Sequence, residues 1–151
     1  MSRVSEIAGQ VKSEVNAAAI TFDSVAFTDA EWYFLPRFEH TDMHTLHVSI
    51  VPRSIERSVE SRSHAFEKYQ IDVAIQKRVD NTTTAKGQLD ELVEFAEEVE
   101  ELLSFNDMTL TGSSNVARFV SIKRDPMVAP DHLEELQQFT AVISVTYQLV
   151  A

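Results

Sequence analysis

The stretch Phe139-Thr-Ala-Val-Ile-Ser-Val-Thr-Tyr-Gln-Leu149 decides the fold class. Phe139, Ala141, Ile143, Val145, Tyr147 and Leu149 alternate with Thr140, Val142, Ser144, Thr146 and Gln148. A period of two puts the first set on one face of a strand and the second on the other. The same period recurs in Tyr69, Ile71, Val73 and Ile75, set against Gln70, Asp72, Ala74 and Gln76. Half-buried strands need a cover, and two helical patterns supply it. Val4, Ile7, Ala8, Val11, Val15 and Ala18 share one helical face over residues 3–18. Leu89, Leu92, Val93, Ala96, Val99 and Leu103 do the same over residues 84–104.

Working outward, Thr45 to Val51 alternates, with Leu46, Val48 and Ile50 on one face, and ends at Pro52. Trp32-Tyr33-Phe34-Leu35 is rich in strand formers and stops at Pro36. A further strand lies near 115–124, with Val116, Phe119 or Val120, and Ile122 turned inward. Residues 19–30 have no clean period and read as a loop with at most a short strand. The run 80–84 offers an N-cap to the second helix, and Asp131 with Glu134 reads as a capping box. The expectation is a single α+β domain over 1–151: a mainly antiparallel sheet of four or five strands with two helices packed on one face. The opposite face is expected to be polar and open to solvent or a partner.

Composition narrows the function. A chain of 151 residues, 44% apolar, is large enough for one domain with a real core. The absence of cysteine excludes disulfides, thiol nucleophiles and thiolate metal sites. The beginning Met1-Ser2-Arg3-Val4 has no apolar h-region, so no signal peptide is expected, and no segment reaches the ~20 apolar residues of a membrane span. A net charge of −11 disfavours specific nucleic-acid binding. Gly9, Gly87 and Gly112 are too scattered to build a phosphate-cradling loop, and no cofactor is expected.

Candidate chemistry is sparse. His40, His44 and His47 cluster in sequence, but no helical period surrounds the first two, so edge histidines are expected rather than a metal site. Glu94, Glu97, Glu98, Glu100 and Glu101 could pair for acid–base work, yet glutamates at successive turns without a cation nearby read first as a solvated face. No nucleophile-elbow pattern occurs. The expectation is a protein that is not an enzyme, with a small acid–base enzyme and a peptide- or protein-binding module as the competing classes.

Charge asymmetry is the stronger clue. From Arg53 to Val79 six Lys or Arg (53, 57, 62, 68, 77, 78) face four acids (56, 60, 67, 72). Residues 53–68 are thin in apolar side chains and read as a mobile loop or the exposed tip of a long hairpin. Residues 90–107 hold eight acids and no Lys or Arg. One patch of each sign on one domain suits head-to-tail contact between identical copies. The candidate interface residues are Arg53, Arg57, Arg62 and Lys68 on one side and Glu94, Glu97, Glu98 and Glu101 on the other.

The order of Tyr69-Gln-Ile-Asp-Val-Ala-Ile-Gln-Lys-Arg-Val79, then Leu89-Asp-Glu-Leu-Val-Glu-Phe-Ala-Glu-Glu-Val-Glu-Glu-Leu-Leu103, then Phe139 to Tyr147, resembles the neck and tail-completion proteins of tailed bacteriophages, the tail-terminator type above all. The resemblance covers most of the chain and lies in element order rather than in a motif. It implies a compact subunit, without catalytic residues, that assembles as a homohexameric ring on the head-proximal end of the tail. The implied partners are further copies of itself, the tail tube protein and the head–tail connector protein, with DNA able to pass through the ring. The implied location is the virion neck, after synthesis in the host cytoplasm. The same size and texture also fit a head-closure or adaptor subunit. The resemblance makes the 53–68 segment an arm reaching a neighbouring subunit or the tube.

Overall fold

The computed structural model describes residues 2–34, 45–59, 65–79, 86–110, 115–125 and 138–150. Helix α1 spans Arg3–Ala18. The Ser2 side chain caps it by accepting the Ser5 amide at 3.3 Å. Ile7, Ala8, Val11 and Val15 of its apolar stripe are buried, whereas Ala18 in the last turn is exposed. The helix stops at Ala19, which turns left-handed (φ 47°) and donates its amide to the Asn16 carbonyl. The Asn16 side chain then holds Ala30 from both sides, its amide donating to the Ala30 carbonyl (3.1 Å) and its oxygen accepting the Ala30 amide (2.8 Å). That clamp ties the next segment to α1. The segment is a small antiparallel hairpin of β1 (Thr21–Phe22) and β2 (Val25–Ala26), turned by Asp23 and Ser24, both at positive φ.

The main sheet has six strands, not four or five, and is mixed. Its members are β3 (Glu31–Trp32), β4 (His47–Val59), β5 (Ala65–Arg78), β6 (Met108–Thr109), β7 (Val116–Arg124) and β8 (Gln138–Val150), in the order β3-β4-β5-β8-β7-β6. β3 runs parallel to β4, and the other pairs are antiparallel. Of the expected Trp32–Leu35 strand, Trp32 lies in β3 and the Tyr33 amide bonds the Ile50 carbonyl (2.9 Å); Leu35 lies outside the described residues. β4 does not end at Pro52. It passes through the proline, shifts register between Pro52 and Ser54, and continues to Val59. The extra residue of that bulge is Arg53, and a second bulge in β7 leaves out Val120. Residues 53–59 and 65–68 are therefore strand, which overturns the mobile-loop alternative and leaves the hairpin one; the hairpin tip lies outside the described residues.

Helix α2 spans Lys86–Leu103 and meets both α1 and β8. With α1 on β4 and α2 on β8, the two helices cover one sheet face. Between them lies a core built from Val48, Ile50, Tyr69, Ile71, Val73 and Ile75 and from all six inward residues of β8. The opposite face is polar, but much of it is shielded: Ser49, Gln138, Thr140 and Ser144 are all buried. The N-cap expected in 80–84 and the capping box at Asp131 and Glu134 lie outside the described residues. Among the described residues no helix is long and apolar enough to cross a membrane.

Candidate assembly surfaces

A strand sends alternate side chains to opposite faces, and this partitions the basic residues that sequence had grouped. Arg57 pairs in register with Glu67, which puts it on the helix-bearing face. Lys68 pairs with Glu56 and Gln148 on the open face. Arg53, displaced by the bulge, also turns to the open face and meets Asp72 at 3.4 Å; the other oxygen of Asp72 accepts the Ser144 hydroxyl at 2.8 Å. Arg53, Arg57 and Lys68 therefore form no single arm surface. Arg62 lies outside the described residues, as do His40 and His44. His47 is half-buried on β4. Among the described residues no group of three or more His, Asp or Glu is placed to hold a metal ion.

The acidic residues do stay together. Glu94, Glu97, Glu98 and Glu101 are exposed along the outer side of α2, because Leu92, Phe95, Ala96, Val99 and Leu103 take the inner side. A cation absent from the sequence reading reaches them: Arg124, at the end of β7, lies 3.4 Å from Glu100 and 3.9 Å from Glu97. Its side chain is only 18% exposed. Since α2 has no basic residue in its last turn, Arg124 offsets both the carboxylates and the negative helix end. Arg124→Met is expected to lower stability by about 1–3 kcal/mol, because the largely buried guanidinium and the half-buried Glu100 lose their pairing, the exposed Glu97 adding little. Urea unfolding measures it, and a loss under about 0.5 kcal/mol, the range of an exposed pair, would show that solvent already screens this one.

At the other end of the sheet, Arg3 of α1 bonds the Glu67 carboxylate, which also accepts the Tyr69 hydroxyl at 2.6 Å. Burial, then that bond and the carboxylate charge, push the Tyr69 hydroxyl up to about 12, with Arg3 opposing. Tyr147, opposite Tyr69 on β8, is raised further, first by burial and then by Glu14 and Asp107. Its hydroxyl has no hydrogen-bond partner among the described residues.

Several large apolar side chains face solvent, and sequence patterning missed them. Ile55 and Val59 on β4 are 55% and 83% exposed, Phe105 is 89% exposed, and Val120 is 42% exposed. Phe105 follows α2 with φ 59°, at the position past the helix end where glycine is usual. A bulky residue there costs roughly 1 kcal/mol relative to glycine. Its ring touches that of Phe119 with centroids 5.3 Å apart. A positive φ leaves no trace in hydropathy, but an aromatic directly after a completed helical stripe was a usable signal. A cleft of about 640 Å³ between β2 and the start of β4 is walled mainly by Phe22, Val25, Phe27, Tyr33 and Leu46, with Lys77 among its polar residues.

No family model matches this chain, and no curated protein matches it. A solved structure does. One chain in the virion of a native gene transfer agent (GTA) particle aligns over 100% of both chains, with a TM-score of 0.60 and 14% sequence identity. The two chains share a fold. The full two-way coverage means that both helices, the long β4–β5 hairpin and the central β8 strand all fall within the matched region.

Proposed function

We propose that this chain is a structural virion protein with no catalytic chemistry of its own, and within that class a tail terminator. The observation that carries the reading is the end-to-end match of its fold to a chain of the GTA virion. The acidic outer side of α2 and the exposed Arg57 of β4 support it, since unlike patches on one subunit suit head-to-tail assembly. In this reading the subunits close into a homohexameric ring. One ring face seats on the last ring of the tail tube protein and stops its polymerisation, while the other meets the head–tail connector protein.

Light scattering across a concentration series tests it. The expected result is a discrete species near six times the 17.1 kDa protomer, either alone or when isolated tail tubes are added. A strict monomer at every concentration that also ignores tube ends would overturn the reading and leave a binding module in its place.

A further inference from the structure

We propose that copies of this chain join side to side through two unlike patches: a ledge of Ile55, Arg57 and Val59 on β4, and a knob of Phe105 with Glu101 and Asp107 beside it in sequence. The inference rests on the ring reading and names the surfaces that meet.

The ledge follows from register. Ile55, Arg57 and Val59 pair with Tyr69, Glu67 and Ala65, so all three face the helix-bearing side. Neither α1 nor α2 buries them there: the start of α1 reaches Glu67 through Arg3 and leaves the 55–59 end of β4 open, with Ile55 and Val59 largely exposed. Arg57 between them is exposed and has no ion pair among the described residues. Two β-branched residues around an exposed cation, held in one row on a paired strand, make a preorganised contact surface.

The knob follows from strain. Phe105 holds a backbone conformation that favours glycine, and it gains little burial in return. Among the described residues its ring meets only the tilted ring of Phe119 and is otherwise exposed. A partner that covers the ring supplies what the isolated fold lacks. The surroundings fit Arg57: Glu101 closes the last turn of α2, the helix end adds partial negative charge, and Asp107 is fixed beside the ring, one carboxylate oxygen accepting the Phe119 amide at 2.8 Å and the other 3.8 Å from Arg118.

The two patches also stand level. Ile55 pairs with Tyr69, Tyr69 with Tyr147, and Tyr147 with Phe119, so the ledge and the aromatic beneath the knob end one cross-strand row. Three strand spacings put those ends about 14 Å apart. Joining ledge to knob therefore requires no slip along the strands. A heterologous contact without such a slip is compatible with a ring, which closes when the rotation between copies divides the circle.

Phe105→Gly separates folding from assembly. Its protomer is expected to melt at the parent temperature or above, while the concentration needed for self-association rises about tenfold or more. A charge exchange supplies the second arm. Arg57→Glu and Glu101→Arg should each stay monomeric alone, and an equimolar mixture should regain the parent mass, because every contact in an alternating ring is again between opposite charges. Phe105→Gly associating as tightly as the parent, or a mixture that fails to recover, overturns this pairing. If the parent forms rings and the variants do too, the pairing falls and the ring reading stands. A parent that never associates, even on tubes, removes both.

Discussion

Phe95→Ala is expected to remove about 3–5 kcal/mol of stability, a large share of what a domain of this size holds. Phe95 is 1% exposed in the inner side of α2. Its ring meets Phe22 and Phe27 edge-on, with centroids 6.1 and 5.6 Å apart. It is thus the side chain that fastens α2 to the β1–β2 segment, which otherwise depends on the Asn16 clamp at Ala30. Truncation loses the transfer of a large ring and the two aromatic contacts, and leaves a cavity that a helix packed on a sheet collapses only in part. A shift in the urea midpoint at constant slope measures the effect. A loss under about 1 kcal/mol, typical of a surface site, would mean that the segment carrying Phe22 and Phe27 does not pack on α2 in solution.

Alkaline pH is expected to act nearly as strongly. Tyr69 and Tyr147 both keep their protons in the folded chain above the ordinary tyrosine value of 10.0. The unfolded chain binds fewer protons than the folded one in that range, so stability falls as pH rises. The contribution is intact below pH 10, declines between 10 and about 12, and is lost once pH passes the raised values of both hydroxyls. With two groups the slope approaches about 2.7 kcal/mol per pH unit. Tyr147→Phe should halve that slope while costing little at neutral pH, because its buried hydroxyl bonds nothing among the described residues. Tyr69→Phe should also lower neutral-pH stability, since it strands part of the Glu67 carboxylate. A stability profile flat from pH 9 to about 12 would mean that solvent reaches both rings.

Much of this architecture was legible in the residues. The period of 3.6 located α1 and α2, and the period of two located the buried faces of β5 and β8, where every expected inward residue is buried. The two-residue strand β6 is too short to carry a period, which is why the sheet read as four or five strands, whereas the strand formers from Trp32 on did mark β3. Strand direction has no signature in side-chain alternation, so the parallel β3–β4 pair was invisible. Pro52 suggested a stop because proline lacks a ladder donor, but a bulge beside it absorbs the fault and β4 continues. That bulge also decided the candidate interface. Sign of charge was readable at Arg53 and Arg57, but which face each joins depends on one extra residue in the ladder. On α2, where the period runs unbroken, Glu94, Glu97, Glu98 and Glu101 emerged on the expected outer side.

The position of β8 has a consequence for how the protein is made. Sequence order puts it after β7, yet it sits between β5 and β7, with thirteen register pairs to β5 alone. While a ribosome is still extending the chain, the β4–β5 hairpin can form from what has emerged, but among the described residues β7 has only the two of β6 to pair with. The core cannot close until residue 150 has left the exit tunnel. Until then the nascent chain holds two half-sheets with bare inner edges, a state open to mispairing with its neighbours on the same message. Completion of the sheet is therefore a single late event, set by the arrival of its last strand.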